Sequence, residues 1–184
     1  DHFEEIYKKL GTHFDAYFFE SATSVKGKTL VENHPDIFVE SDGAVVFHGE
    51  DYGLHTRVFL NKAGLPTYEA KDLGLIELKQ ETGAFDVSIS VTASEQSEYF
   101  KVILEAARHI PEIKDFAEKT KHVSHGMMRL PTGKMSSRTG DVITGESLLA
   151  ELTAAAKERA AESRAEDHDA LSLAIAVAAI KYQI

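Results

Sequence analysis

A lysine, two hydroxyls and an arginine stand between two glycines in Gly133-Lys134-Met135-Ser136-Ser137-Arg138-Thr139-Gly140, directly after Leu130-Pro131-Thr132. Glycine lets a backbone approach a ligand closely and change conformation. Lysine and arginine supply charge-assisted donors to phosphate oxygens, one as a point charge and the other as a planar fork. The hydroxyls of Ser136 and Ser137 can donate to the same oxygens or brace the loop. The chemistry these residues suggest is a clamp on a polyphosphate. Composition alone also allows a solvated surface turn, because the same residue types suit loops. The order Lys-Met-Ser-Ser-Arg favours the clamp.

A second group lies upstream. Tyr68 and Asp72 are four apart where an extended segment passes into a helix, so both can face one pocket. A carboxylate beside a phenol suits a cation with a planar donor fork, such as a guanidinium. Asp72 alone also reads as an acid complementing a helix dipole. Gln96, in the first turn after the β-rich run Asp86-Val87-Ser88-Ile89-Ser90-Val91, could add an amide contact or face solvent. His48-Gly49-Glu50-Asp51 with His55 matches no dependable metal-ligand spacing and reads as an acidic turn. His122 and His125 are three apart on a strand, so they face opposite sides. No GxSxG, Walker loop, GxGxxG or Cys/His framework occurs, and no metal ligands are assigned.

The elements that must position these groups follow from hydrophobic spacing. Phe3, Ile6, Tyr7 and Leu10 have helical periodicity, stopped by Gly11. Asp15 to Ser21 is short and aromatic-rich, the profile of a strand. Residues 22–35 are polar and read as a loop holding one short helix. Ile37 to Glu40 and Ala44 to His48 flank Ser41-Asp42-Gly43 as a hairpin, with a third strand from Thr56 to Leu60. Leu65 to Tyr68 is extended around Pro66, and Ala70 to Thr82 is a helix closed by Gly83. A strand over Asp86 to Val91, helices over Ser94 to His109 and 112–119, and an extended run from Lys121 to Leu130 follow. Thr144 to Ser163 is a long helix rich in good helix formers. Strands alternating with helices predict an α/β domain with a largely parallel sheet, carrying the hairpin as an antiparallel insertion. Ligands in such sheets sit at the carboxyl ends of strands.

The chain has 184 residues, 43% hydrophobic and 27% charged, as soluble globular domains do. It has no cysteine, so no disulfide framework, which fits a reducing compartment. No run has the length of a membrane span and no signal peptide opens it. Lys+Arg 20 against Asp+Glu 30 gives a formal charge of −10, which opposes non-specific nucleic-acid binding. The expectation is a cytoplasmic protein with no membrane association. The first residue is Asp rather than Met, and the segment Leu171 to Ile184 is apolar almost all round, which demands burial on most sides. Both features predict a piece cut from a longer protein, with the polar run Ser163 to His168 as the domain boundary.

Taken together, these residues resemble the catalytic domain of arginyl-tRNA synthetase, a class I aminoacyl-tRNA synthetase. Lys134-Met135-Ser136-Ser137-Arg138 is similar to the second class I signature, usually Lys-Met-Ser-Lys-Ser. His122-Val123-Ser124-His125-Gly126-Met127-Met128 and Gly140-Asp141-Val142-Ile143 resemble the surroundings of that signature in the arginine-specific family. Phe14-Asp15-Ala16-Tyr17 with Glu20-Ser21 resembles the segment after the family's first signature helix. Leu65 to Gly74 resembles its Tyr-x-x-x-Asp motif, and Gln96 matches its substrate-binding glutamine. The likeness runs from about residue 3 to Tyr182.

The resemblance implies a Rossmann-type fold over residues 1–163, the later part of a catalytic domain, with 164–184 as the first helix of an all-α anticodon-binding domain. It implies ATP-dependent activation of L-arginine and its transfer to tRNA(Arg), with Mg2+ accompanying ATP and a monomeric parent. Lys134, Ser136, Ser137 and Arg138 would be catalytic, stabilising the pyrophosphate. Tyr68, Asp72 and Gln96 would bind arginine. His125, Gly126, Met127 and Lys134 would bind ATP. Two departures stand out: Ser137 replaces the second signature lysine, which leaves Arg138 to supply that charge, and no His-x-Gly-His signature occurs. This chain alone is therefore expected to be inactive, and the alternative reading is a synthetase-like module that binds arginine or nucleotide without charging tRNA.

Overall fold

In the computed structural model, residues 2–126 and 144–183 are described. The expected clamp, with Lys134, Ser136, Ser137 and Arg138, lies outside the described residues, as does Met127. The chain forms two compact units, Ala16–His125 and Asp1–Asp15 with Gly126–Ile184.

The larger unit begins with an extended stretch where the sequence predicts a strand over Asp15 to Ser21. No strand forms there. Tyr17 and Phe19 stack on each other at 6.5 Å and remain exposed, and the helix α1, Glu20–Asn33, begins within the predicted strand. Where the sequence predicts a loop with one short helix over residues 22–35, this helix takes up nearly the whole stretch. It shows little apolar periodicity because the face it buries is small: Thr23 and Gly27, followed by Leu30 and Val31. Its partner is α2, Tyr68–Glu81, which buries Ala70, Leu73, Gly74 and Ile76. The two helices cross at their glycines. A Cβ on Gly27 would stand 1.8 Å from the Ala70 carbonyl oxygen, and one on Gly74 would stand 2.1 Å from that of Thr23. Only glycine allows backbones so close.

Three antiparallel strands, β1 (Val39–Ser41), β2 (Ala44–Phe47) and β3 (Arg57–Leu60), form a sheet in the order β1-β2-β3. The expected hairpin is present, and Asp42 and Gly43 make its turn with φ of 52° and 76°. This matches the strand twist in tight two-residue turns. The predicted parallel pairing joins β4 (Ser88–Ala93) to β5 (Thr120–His125), in a sheet separate from the antiparallel strands among the described residues. Between them run a short 3-10 turn, Ser94–Gln96, then α3 (Ser97–Arg108) and α4 (Lys114–Lys119). The core gathers Leu30, Val31, Phe38, Phe59, Leu73, Val102, Ile103, Ile110 and Ile113, all within 5% of full burial. Ile89, Val91 and Val123 on the parallel pair are exposed.

The smaller unit contains α5 (His2–Lys9), α6 (Gly145–Ala161) and α7 (His168–Gln183). The Thr144 hydroxyl caps α6 by accepting from Ser147 N at 3.1 Å. Helices α6 and α7 meet through small residues: Ala156, Ala160 and Ala176 are buried, and Ser172, fully buried, donates to the His168 carbonyl at 2.6 Å. The rest of α7 is less covered than its composition predicts, and Ile175 is 39% exposed. No helix among the described residues is long and apolar enough to cross a membrane.

Candidate functional site

The site begins at the join between β3 and α2. Asn61 closes the intervening turn by accepting from Ala63 N and Leu65 N at 2.9 and 3.0 Å. Thr67 then ties the helix start to the strand. Its hydroxyl reaches the carbonyls of Val58 at 2.7 Å and Phe59 at 3.0 Å, while its amide donates to Phe59 O at 3.0 Å. Tyr68 is consequently the first residue of α2, and Asp72 lies one turn further along the same face. Asp72 is thus beyond the first turn and partly buried, which removes the helix-dipole reading of this residue.

The second wall comes from the parallel pair. β4, α3 and β5 make a β-α-β unit in which Ala93 lies opposite His125, so the carboxyl ends of both strands coincide. Gln96 leaves the end of β4, and Tyr99 follows in the first turn of α3. Tyr68, Asp72 and Gln96, widely separated in sequence, line one open cleft of about 690 Å³ with Ser90, Thr92 and Tyr99. His125 and Gly126 stand at the end of β5. His122 stands behind the cleft lining: it stacks on Phe100 at 4.4 Å and shares a 2.8 Å hydrogen bond with the Thr92 hydroxyl.

The cleft holds groups that spacing alone did not single out. Tyr99, 9% exposed, donates its hydroxyl to Oδ2 of Asp72 at 2.5 Å. Arg57 lies over the Tyr99 ring at 5.2 Å and pairs with Glu69 at 3.1 Å. Lys79 lies two turns along α2 from Asp72, at the far side of the cleft. A signal for Glu69 and Lys79 was available, since both share the Asp72 face of a recognisable helix. Arg57 and Tyr99 are brought in by tertiary packing only.

Electrostatics follow from this enclosure. Burial pushes the Asp72 carboxyl above its ordinary value, and Glu69 adds to the rise; the Tyr99 hydrogen bond and Lys79 oppose it. Burial lowers the Lys79 ammonium, opposed by Asp72. The Tyr99 phenol is pushed far up, first by burial and then by Asp72, so it remains a donor across the working range. Glu69 is already paired with Arg57. The cleft therefore presents one carboxylate with unused acceptor sites, flanked by a phenol and an amide. A planar cationic fork fits that arrangement better than a point charge does.

The acidic turn near His48 gathers no metal site. His48 Nδ1 is 4.0 Å from Glu50, whose carboxylate also accepts from Thr56, and no cluster of three or more His, Cys, Asp or Glu suited to a metal occurs among the described residues.

The family model described as tRNA synthetases class I (R), catalytic domain, matches residues 5–184. A curated relative from Bacteroides fragilis, named arginine–tRNA ligase, is 31% identical over 191 residues, covering 99% of this chain and 32% of the relative. Another of that name, from Clostridium acetobutylicum, is 35% identical over 154 residues, covering 81% of this chain and 26% of the relative. The chain thus spans about a third of the length of the relatives it matches. Among solved structures, arginyl-tRNA synthetase from Plasmodium falciparum superposes with a TM-score of 0.76 at 20% identity, covering 99% of this chain and 31% of that one. The Thermus thermophilus arginyl-tRNA synthetase gives 0.72 at 20% identity, over 97% and 37% of the two chains. These two likenesses carry the fold, and the match over residues 5–184 carries the family: this chain belongs to the class I (R) tRNA synthetase catalytic domains.

Proposed function

We propose that this chain is the arginine-recognising and pyrophosphate-stabilising part of an arginine–tRNA ligase, which activates L-arginine with ATP and transfers it to tRNA(Arg). The observation that carries the reading is the cleft lined by Tyr68, Asp72 and Gln96, in which Asp72 keeps acceptor sites beyond the one that Tyr99 fills. The guanidinium of arginine would take the free acceptor sites of Asp72 as a fork, with Tyr68 and Gln96 along its edges. A lysine substrate offers a single ammonium and loses the two-point match, which gives the site discrimination.

ATP would lie at the carboxyl ends of β4 and β5, where nucleotides bind in such sheets. His125, Gly126 and Met127, at and just after the end of β5, would lie along the adenine. ATP would supply the adenylyl group that activates the arginine carboxylate, with pyrophosphate as the leaving group, and its Mg2+ would enter on the phosphates. Lys134, with Ser136, Ser137 and Arg138, would hold the pyrophosphate as charge develops on it; positioned cations act most strongly on such charge. We assign residues 1–163 to the catalytic domain and 164–184 to the start of a helical domain. A soluble, cytoplasmic, monomeric enzyme is the accompanying expectation.

Arginine-dependent ATP–pyrophosphate exchange, measured in the whole protein with its tRNA, tests this. Exchange is expected with arginine and not with lysine, with most of it lost on Lys134→Ala. Exchange that proceeds at the unmutated rate in Lys134→Ala removes Lys134 from the chemistry; absence of arginine dependence overturns the reading.

A further inference from the structure

Asp72 needs more than burial to recognise a fork. The torsion that sets the plane of an aspartate carboxylate is broad, so an isolated carboxylate samples many orientations. A guanidinium held through two parallel hydrogen bonds requires one plane. Tyr99 supplies the constraint from a different element. Its hydroxyl, delivered from the first turn of α3, meets Oδ2 of Asp72 at 2.5 Å. It fills one of about four acceptor sites on the carboxylate and leaves the others available.

The tyrosine is itself fixed. Its ring is 9% exposed, the Arg57 guanidinium covers it at 5.2 Å, and Phe100 meets it edge-on at 5.5 Å. Arg57 is held in turn by Glu69 at 3.1 Å. That pair neutralises the second carboxylate of the cleft, so Glu69 does not compete with Asp72 for a cation. The charged and titratable groups that bear on Asp72 are Glu69 and Lys79 on its own helix and Tyr99 on α3, with Arg57 on β3 acting on Tyr99. The facing residues of β4, Ser90 and Thr92, do not titrate.

We infer that Tyr99 is a positioning residue for arginine recognition: its hydroxyl locks the Asp72 carboxylate in the plane that receives the substrate guanidinium. This rests on the arginine-binding reading of the cleft. Lock and burial act on Asp72 in opposite directions, because the hydrogen bond from Tyr99 favours the ionised carboxylate that burial disfavours.

The test is Tyr99→Phe in the whole protein, which keeps the ring and removes only the hydroxyl. Arginine KM and kcat are read across pH in the exchange assay, beside thermal unfolding. The expected result is a rise in arginine KM on the order of tenfold, the scale of one hydrogen bond to a charged group, with kcat little changed. The acidic limb of the arginine kcat/KM profile moves to higher pH, since Asp72 has lost the donor that stabilised its charge. In an Asp72→Ala background, which leaves the hydroxyl nothing to position, the same change adds no further loss, because its effect passes through Asp72. An unchanged KM and acidic limb overturn the inference, as does an equal loss in both backgrounds. Failure of Tyr99→Phe to fold also overturns it, by showing that Tyr99 serves packing. If the unmutated protein shows no arginine dependence, the functional reading fails first and the inference falls with it; an active parent with a silent Tyr99→Phe defeats the inference alone.

Discussion

Replacing Gly74 with alanine is expected to force α1 and α2 apart. The new Cβ would stand 2.1 Å from the Thr23 carbonyl oxygen and 2.6 Å from the Gly27 amide nitrogen, where ordinary contact begins at 3.4 Å. Both obstacles are helix backbone, so neither can rotate aside and α1 must shift as a body. Two effects compete. Alanine is favoured over glycine inside a helix by about 1 kcal/mol. Overpacking costs about 1–3 kcal/mol where side chains can adjust, and more where they cannot. The shift also loosens Leu30, Val31 and Leu73, now within 5% of full burial beside the crossing. The clash wins, for a net loss of roughly 2–4 kcal/mol. For a cooperative unit of about 150–250 residues that lowers its Tm by about 5–15 °C. Calorimetry or urea unfolding of the whole protein measures it, with Gly145→Ala as control. Gly145 opens α6 with nothing among the described residues within 4 Å of its added Cβ and no positive φ, so that change should be neutral or stabilising by up to about 1 kcal/mol. Because α2 carries Tyr68 and Asp72, arginine KM should rise in Gly74→Ala although residue 74 touches no ligand. A Gly74→Ala protein that unfolds at or above the temperature of its parent refutes the reasoning about the crossing.

Three further changes probe the site and its supports. Asp72→Asn should weaken arginine binding by about 2–5 kcal/mol in a direct binding titration, the range for removing one charge of a buried pair. The same variant should unfold at an equal or higher temperature at neutral pH. The folded carboxyl titrates above its unfolded value, so its contribution favours folding at low pH and is lost as pH rises through the folded value. Asparagine carries no such dependence and can still accept from Tyr99, so a large drop in Tm would contradict this account. Thr67→Val removes the hydroxyl that ties α2 to β3 and should cost about 1–2 kcal/mol, with arginine KM rising before kcat falls. Thr144→Ala removes the α6 cap and should cost about 1 kcal/mol in chemical denaturation, with no change in arginine KM.

Features that rest on short-range chemistry are legible in the residues alone. The hairpin at Ser41-Asp42-Gly43, the strand up to Leu60, the Pro66 entry into α2 and the alternation of β4, α3 and β5 are written in turn residues and periodicity. Tyr68 and Asp72 could be paired as cleft residues because helical spacing fixes which side chains share a face. Features that depend on a distant packing partner are not legible in this way. The aromatic run Asp15 to Ser21 has the composition of a strand but finds no neighbour to pair with among the described residues. The stretch 22–35 looks like a loop with one short helix, yet the helix runs from Glu20 to Asn33, packed through Gly27 against the backbone of α2 without an apolar stripe. Arg57 and Tyr99 belong to the cleft only because β3 and α3 are folded against α2. Local pattern fixes the face a residue occupies, and tertiary packing alone decides what that face meets; the plane of the Asp72 carboxylate, set by a hydroxyl 27 residues away, is decided there.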